Sequence, residues 1–232
     1  MASPIQKHFL DFWLARGAIA VTAILNAFLI NKLSAMPWWL APSLEIALLL
    51  PLSIATAWTH KRIRTVSEEH HWVSIHRSRR IIRIAAICLT ALITAINFEA
   101  LFAVLHALLY GAKGATGQTL LIDALNIWLT NVVVFALWFW NLDRGGPAIR
   151  SLKGLHVPDL FFPQMAGNIA GYDGWAPGFM DYAFVSFTNA TAFSPTDTMP
   201  LSIRIKMLFI IESCASLLTV GLVAARAVNI LS

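Results

Sequence analysis

Glu212 stands about ten residues into the apolar run from Ile203 to Ile230. That is roughly 14 Å deep at about 1.5 Å per helical residue. An ionisable group inside a hydrocarbon phase is costly, and by default it marks a site that holds a proton, an ion or a polar partner. Upstream, Ser186, Thr188, Asn189, Thr191, Ser194, Thr196 and Asp197 crowd a short, otherwise apolar segment. Hydroxyls and amides at that density can line a solute path, or they can satisfy the backbone of their own segment. Glu99 and His106 lie two helical turns apart and share a face. Asp123, Asn126 and Thr130 recur at i, i+3 and i+7. Together Glu99, His106, Asp123 and Asn126 make a candidate polar cluster for a cation or a proton. The same residue types also fix helix packing through interhelical hydrogen bonds. Thr90, Thr94 and Asn97 form a further stripe. Glu45, close behind Pro42, reads as a first-turn acid favoured by the helix dipole.

Catalytic chemistry has little support in these residues. No P-loop, GxGxxG, HExxH or GxSxG pattern occurs. The stretch EEHHWVSIH offers Glu69, His70, His71 and His76 as metal ligands. On a helix, however, His71 and His76 point about 140° apart, and a solvated basic loop is the preferred reading. Cys88 and Cys214 sit in apolar runs without a second cysteine nearby and read as buried free thiols. Asn189-Ala190-Thr191 matches a glycosylation sequon inside a segment that reads as buried. No catalytic residue, metal or cofactor is expected, and the chain reads as a non-enzyme.

Such side chains need a scaffold, and composition names it. Of the 232 residues 58% are hydrophobic and 12% charged, with a mean hydropathy of +0.68. Soluble domains carry about 45–50% apolar and about 25% charged residues. The apolar runs are long and continuous, unlike the alternating strands of a transmembrane barrel. An all-α integral membrane protein is therefore expected, and the bilayer is its first partner. The net charge of +5 then reads as cytoplasmic loop charge and not as a nucleic-acid surface.

A bilayer core needs roughly 20 helical residues. Five runs meet this: Phe9 to Ile30, Pro42 to Thr59 with Pro51 as a kink, Ile81 to Tyr110, Leu120 to Trp140, and Ile203 to Ile230. The N-terminus lacks a signal-peptide cleavage pattern and reads as a retained first span. With the N-terminus and the basic loop 60–83 in the cytoplasm, only Lys32, Lys113 and Arg226 of the 17 Lys and Arg fall outside. That loop's arginines and lysines suit anionic lipid headgroups. Residues 1–110 then form an N-terminal three-helix region and 111–232 a C-terminal, pore-like one. Around residues 179–195 lies either a sixth short span or a re-entrant helix. The run between Asp181 and Asp197 is short, which leans toward re-entry. Gly221 and Ala225 form a small-xxx-small pair suited to close helix approach.

The strings NIWLTNVVVFALWFWNLDRGGP, PDLFFPQM, DYAFVSFTNATAFSPTDTMPLS and AARAVNIL resemble a widespread bacterial family of integral membrane proteins of unknown function. The resemblance covers roughly residues 126–231 and implies a bacterial inner-membrane location. More distantly, the C-terminal part is similar to the pore module of potassium channels, with an outer helix, a pore helix, a filter and an inner helix. Ser186-Phe187-Thr188 begins like the pore helix, and Thr191 and Asp197 bracket a filter-like stretch. Between them stands Ala-Phe-Ser-Pro-Thr, without glycine. A carbonyl filter uses backbone conformations that glycine adopts cheaply, and Pro195 fixes φ and removes an N–H. Potassium selectivity is therefore not expected. The charge count also has the segment enter from the cytoplasm, opposite to a potassium-channel loop.

The expectation is an ion-channel-like or transport protein for a small solute. Its path would be lined by Ser186, Thr188, Asn189, Thr191, Ser194, Thr196 and Asp197, with Glu212 setting the charge and several copies around one axis. The alternatives are a non-transporting interaction or assembly protein and, less supported, an intramembrane enzyme using Glu99, His106 and Asp123.

Overall fold

Helices carry the apolar runs because such a chain must satisfy each backbone N–H and C=O within its own segment. A computed structural model describes residues 4–28, 37, 39–63, 72–111, 116–147, 157–167, 169, 171–172, 175–194 and 197–231. Among them, helix α1 runs over Pro4–Phe28, α2 over Leu40–Ile63, α3 over Trp72–Tyr110, α4 over Gly117–Leu142, α5 over Phe179–Ala192 and α6 over Ile203–Leu231. Among the described residues, three stretches are long and apolar enough to cross a membrane: Arg80–Tyr110, Gly117–Gly145 and Ile203–Ala224. Leu40–Pro51 is a shorter apolar helix.

Local chemistry sets the boundaries. α3 starts at Trp72, earlier than the expected Ile81, because nothing in SIHRSRR breaks a helix. Its 39 residues rise about 58 Å, well beyond a bilayer core of about 30 Å. Gly111, at φ +75°, ends it. Thr116 caps α4: the Thr119 N–H donates to Thr116 Oγ1 at 3.2 Å, and the Thr116 N–H to Thr119 Oγ1 at 3.0 Å. At the start of α5 the Gly178 N–H donates to Asp181 Oδ2 at 2.7 Å. Phe193, left-handed at φ 53°, ends that helix.

α4 is the central element, packing against α1, α3, α5 and α6. Its Phe135, Phe139 and Trp140 lie in one core with Phe12, Ile19, Leu160, Phe179, Tyr182, Ile205 and Phe209, so both halves of the chain supply it. Trp140, the last residue of the fourth expected span, is fully buried. Phe12 and Phe179 pack edge-on against it, with centroids 5.2 and 5.8 Å away.

Contacts along α4 give the direction of its neighbours. Arg204 reaches the Leu142 carbonyl, Phe139 packs on Phe209 and Asn131 bonds Ser216, so α6 is antiparallel to α4. Trp140 meets Phe179 and Trp128 meets Phe187, so α5 is antiparallel to α4 as well. Both α5 and α6 leave from the end where α4 stops. Between them a two-residue strand β2, Met199–Pro200, pairs antiparallel with β1, Leu160–Phe161. The chain thus goes in along the 14 residues of α5 and is back at its starting end by Met199.

Several expectations meet different ground. Cys88 and Cys214, read as buried, are exposed free thiols on outward faces of α3 and α6. Gly221 faces open space, and the side chain of Ala225 lies outside the described residues. Also outside them are Lys32, Glu68, Glu69, His70, His71, Lys113, Pro195, Thr196 and the side chains of His76 and Arg226.

Candidate functional site

Lying side by side, α5 and α6 turn polar residues toward each other. Ser186 and Asn189, one turn apart on α5, converge on Glu212 of α6. Ser186 Oγ lies in hydrogen-bond contact with Glu212 Oε1, and Asn189 Nδ2 donates to Oε2 at 2.7 Å. The same amide nitrogen donates to the Phe209 carbonyl at 3.1 Å, while Asn189 Oδ1 accepts from Ser213 Oγ at 3.1 Å. α4 closes the third side. Asn131 Nδ2 donates to Ser216 Oγ at 3.1 Å, and Ser186 Oγ lies 2.7 Å from the Val132 carbonyl oxygen. Glu212, Ser186 and Ser216 are wholly enclosed by protein.

Hydrogen counting admits two arrangements. Ser186 has one hydroxyl proton, yet its oxygen faces two acceptors, Val132 O and Glu212 Oε1. A proton on Glu212 resolves this: the carboxyl donates to Ser186 Oγ, and Ser186 donates to Val132 O. Val132 O lies inside helix α4, where the backbone supplies a donor of its own, so an ionised Glu212 accepting from Ser186 and Asn189 fits the same geometry. Among the described residues, no group of three or more His, Cys, Asp or Glu is placed to hold a metal ion.

Of the expected lining residues, Ser186, Asn189 and Glu212 come together here. Thr188 is buried, its hydroxyl turned back onto the Phe184 and Val185 carbonyls at 2.9 and 3.0 Å. Thr191 and Ser194 are exposed at the far end of α5, and Asp197 is exposed on the returning stretch, within electrostatic reach of Asp181 at the start of α5. Thr191 donates to the Phe187 carbonyl at 2.8 Å, and Asp197 Oδ1 accepts from Thr198 at 3.0 Å. Asn131, Ser213 and Ser216 were not foreseen. The signal was present: Ser213 and Ser216 flank Glu212 at i+1 and i+4.

The expected cluster of Glu99, His106, Asp123 and Asn126 does not close as one group. His106 is exposed, its ring 4.8 Å from that of Tyr110, because its helix face points away from the bundle. Glu99 is half-buried and Asp123 is buried. Asn126 turns instead to α1, donating to Asn26 Oδ1 at 2.7 Å, and Asn26 Nδ2 donates to Glu45 Oε1 at 2.7 Å. Glu45 is thus an enclosed carboxylate and not a solvated first-turn acid. The stripe on α3 serves packing: Thr94 Oγ1 accepts from Trp138 Nε1 at 3.0 Å, and Asn97 Nδ2 donates to the Ile127 carbonyl at 3.3 Å.

A polar lock fastens the end where α4 stops and α5 and α6 begin. Asp143, fully buried, accepts from the Asp159 N–H at 2.8 Å and from the Tyr182 hydroxyl at 2.6 Å. Arg204 grips Asp159 with Nε at 2.9 Å and Nη2 at 2.5 Å, and the Arg144 N–H adds a bond at 3.2 Å. Burial pushes the Asp159 carboxyl up, but the Arg204 bonds and charge and the Arg144 N–H outweigh it and hold it below its ordinary 3.8.

Comparison of the chain with protein-family models, with curated proteins and with solved structures returns no match. Its functional reading therefore rests on this geometry.

Proposed function

We propose that the chain is a multi-pass protein of a bacterial inner membrane that conducts or transports a small solute, with the 188–197 segment bordering the path and Glu212 setting its charge. In this reading α1, α2, α3, α4 and α6 span the bilayer, the N-terminus is cytoplasmic and α5 is a re-entrant half-helix. The observation that carries it is the direction of α5, which enters beside α6 and returns to the same end. Asn189 lies level with Phe209 and Glu212, so α5 reaches roughly 14 Å along α6. Irregular backbone at membrane depth persists only where it is buried in protein or faces water. Thr191, Ser194 and Asp197, exposed on the single chain, then face a water-filled path or a neighbouring copy, which favours a homo-oligomer.

Charge supports the orientation. Phe12 packs on Trp140, Arg204 bonds Leu142, and Arg83 Nε lies 3.7 Å from where a Cβ on Gly146 would stand. The start of α1 and Arg83, Arg144 and Arg204 therefore gather at one end, the end assigned to the cytoplasm and to anionic headgroups. The order of outer helix, half-helix, return and inner helix is also the one that the pore-module resemblance implies, entered from the opposite face.

The test is flux. Purified protein reconstituted in liposomes is assayed with dyes for protons, Na⁺ and K⁺, at matched amounts of folded wild type, Glu212→Gln and Asp197→Asn. Wild-type flux above that of empty liposomes, changed in both variants, is expected. Equal flux in all three overturns the reading.

One observation favours a second reading, an interaction or assembly protein. The polar side chains of Ser186, Thr188 and Asn189 are satisfied internally, and α5 presents Met180, Phe184 and Phe187 outward. A stoichiometric partner that copurifies without flux decides for it.

A further inference from the structure

A second enclosed carboxylate, Glu45, lies outside the α5–α6 site. It sits in α2, is 1% exposed and accepts from Asn26 of α1, which in turn accepts from Asn126 of α4. The amides are ordered by the acid. Asn26 must turn its nitrogen to Glu45 Oε1, which leaves its oxygen to accept from Asn126 Nδ2, which in turn leaves Asn126 Oδ1 over. Glu45 Oε2, Asn126 Oδ1 and Thr130 Oγ1 are buried and have no hydrogen-bond partner among the described residues of the protein. Thr130 is one turn beyond Asn126 on the same face of α4. Three enclosed oxygens without donors are a conspicuous deficit, since buried polar atoms are overwhelmingly paired.

The deficit has a sign. A carboxylate oxygen and an amide oxygen only accept, and a buried carboxylate also needs its charge balanced. A water molecule would satisfy the oxygens and leave the charge. Among the described residues, the ionisable groups of the neighbouring helices give no balance: α4 brings Asp123, and α3 brings Glu99 and the outward-facing His106 in this half of the bundle. In α1 the described arginine is Arg16, about 15 Å further along the helix than Asn26.

We infer that Glu45, Asn126 and Thr130 form a binding site for one monovalent positive charge, a sodium ion or a proton, held between α1, α2 and α4. Carboxylate, amide and hydroxyl oxygens are the hard donors such a cation selects. The site is separate from Glu212 and binds its ion whether or not the protein moves anything.

The experiment follows thermal unfolding of the full chain in detergent. One arm exchanges choline chloride for sodium chloride at fixed ionic strength and alkaline pH, and the other varies pH in choline chloride. Wild type is compared with Glu45→Gln, which keeps the shape without the charge, and with Thr130→Val. If sodium is the occupant, it raises the wild-type Tm saturably, leaves Glu45→Gln unmoved, and needs about tenfold more salt in Thr130→Val. If a proton is the occupant, sodium has no effect. Wild type then loses stability relative to Glu45→Gln as pH rises, and its protonated-carboxyl infrared band is weaker in Glu45→Gln. Identical sodium and pH responses in wild type and Glu45→Gln overturn the inference. Should Glu45→Gln not fold, a wild-type Tm indifferent to both sodium and pH overturns it equally.

Discussion

At the scale of single residues, Glu212 and Ser186 depend on one another. Replacing Ser186 by Ala strips a partner from the Glu212 carboxyl and from the Val132 carbonyl. Leaving buried polar atoms unpaired costs about 1–3 kcal/mol, so Ser186→Ala should lower stability by that amount in denaturant titrations. Glu212→Gln behaves differently if the carboxyl holds a proton. The Gln amide N–H donates to Ser186 while its oxygen accepts from Asn189, and stability should stay within about 1 kcal/mol of wild type. A much larger loss would mean that the site holds a charged carboxylate. Glu212 was legible in the sequence because an acid deep in an apolar run has few bland explanations. Asn131 was not, because a lone amide on a helix has no partner until a second helix is laid beside it.

At the scale of elements, the lock around Asp143 and Asp159 sets where α5 and α6 start. Asp159 has a depressed carboxyl, so its contribution is fully present above its ordinary value of 3.8 and is lost as pH falls through its lower folded value. Acid unfolding of wild type should steepen in that range, and Asp159→Asn should flatten the curve. Gly146 is a second element-scale constraint, at φ +92° with a Cβ position 2.9 Å from the Asn141 carbonyl oxygen. Gly146→Ala should destabilise by about 1–3 kcal/mol, measurable as a drop in Tm. The lock was hidden in two separate strings, DRGGP with Asp143 and PDLFFPQM with Asp159. These two acids acquire meaning only when β1 and β2 bring Asp159 under Arg204.

For the whole molecule, the return of the chain after α5 is the feature with most consequence. With Cys88 and Cys214 replaced by Ser, single cysteines at Ile169 and Leu201, both exposed, bracket the half-helix. A membrane-impermeant maleimide should label both from the same face of the membrane. Labelling from opposite faces would make α5 a full span and reverse α6. In mild detergent, native mass spectrometry should show an oligomer that covers the exposed end of α5, and a clean monomer would count against a path between copies.

Composition and run length alone determined the helical character and the apolar stretches that form α3, α4 and α6, because a backbone in an apolar medium must bond to itself. The tertiary structure decided that α5 comes back to where it began, that Asn126 pairs with Asn26, which itself bonds Glu45, and that Glu212 closes on Ser186 and Asn189. These outcomes depend on which helix faces lie opposite each other. A periodic pattern shows that a helix has a polar face but not which neighbour that face will meet.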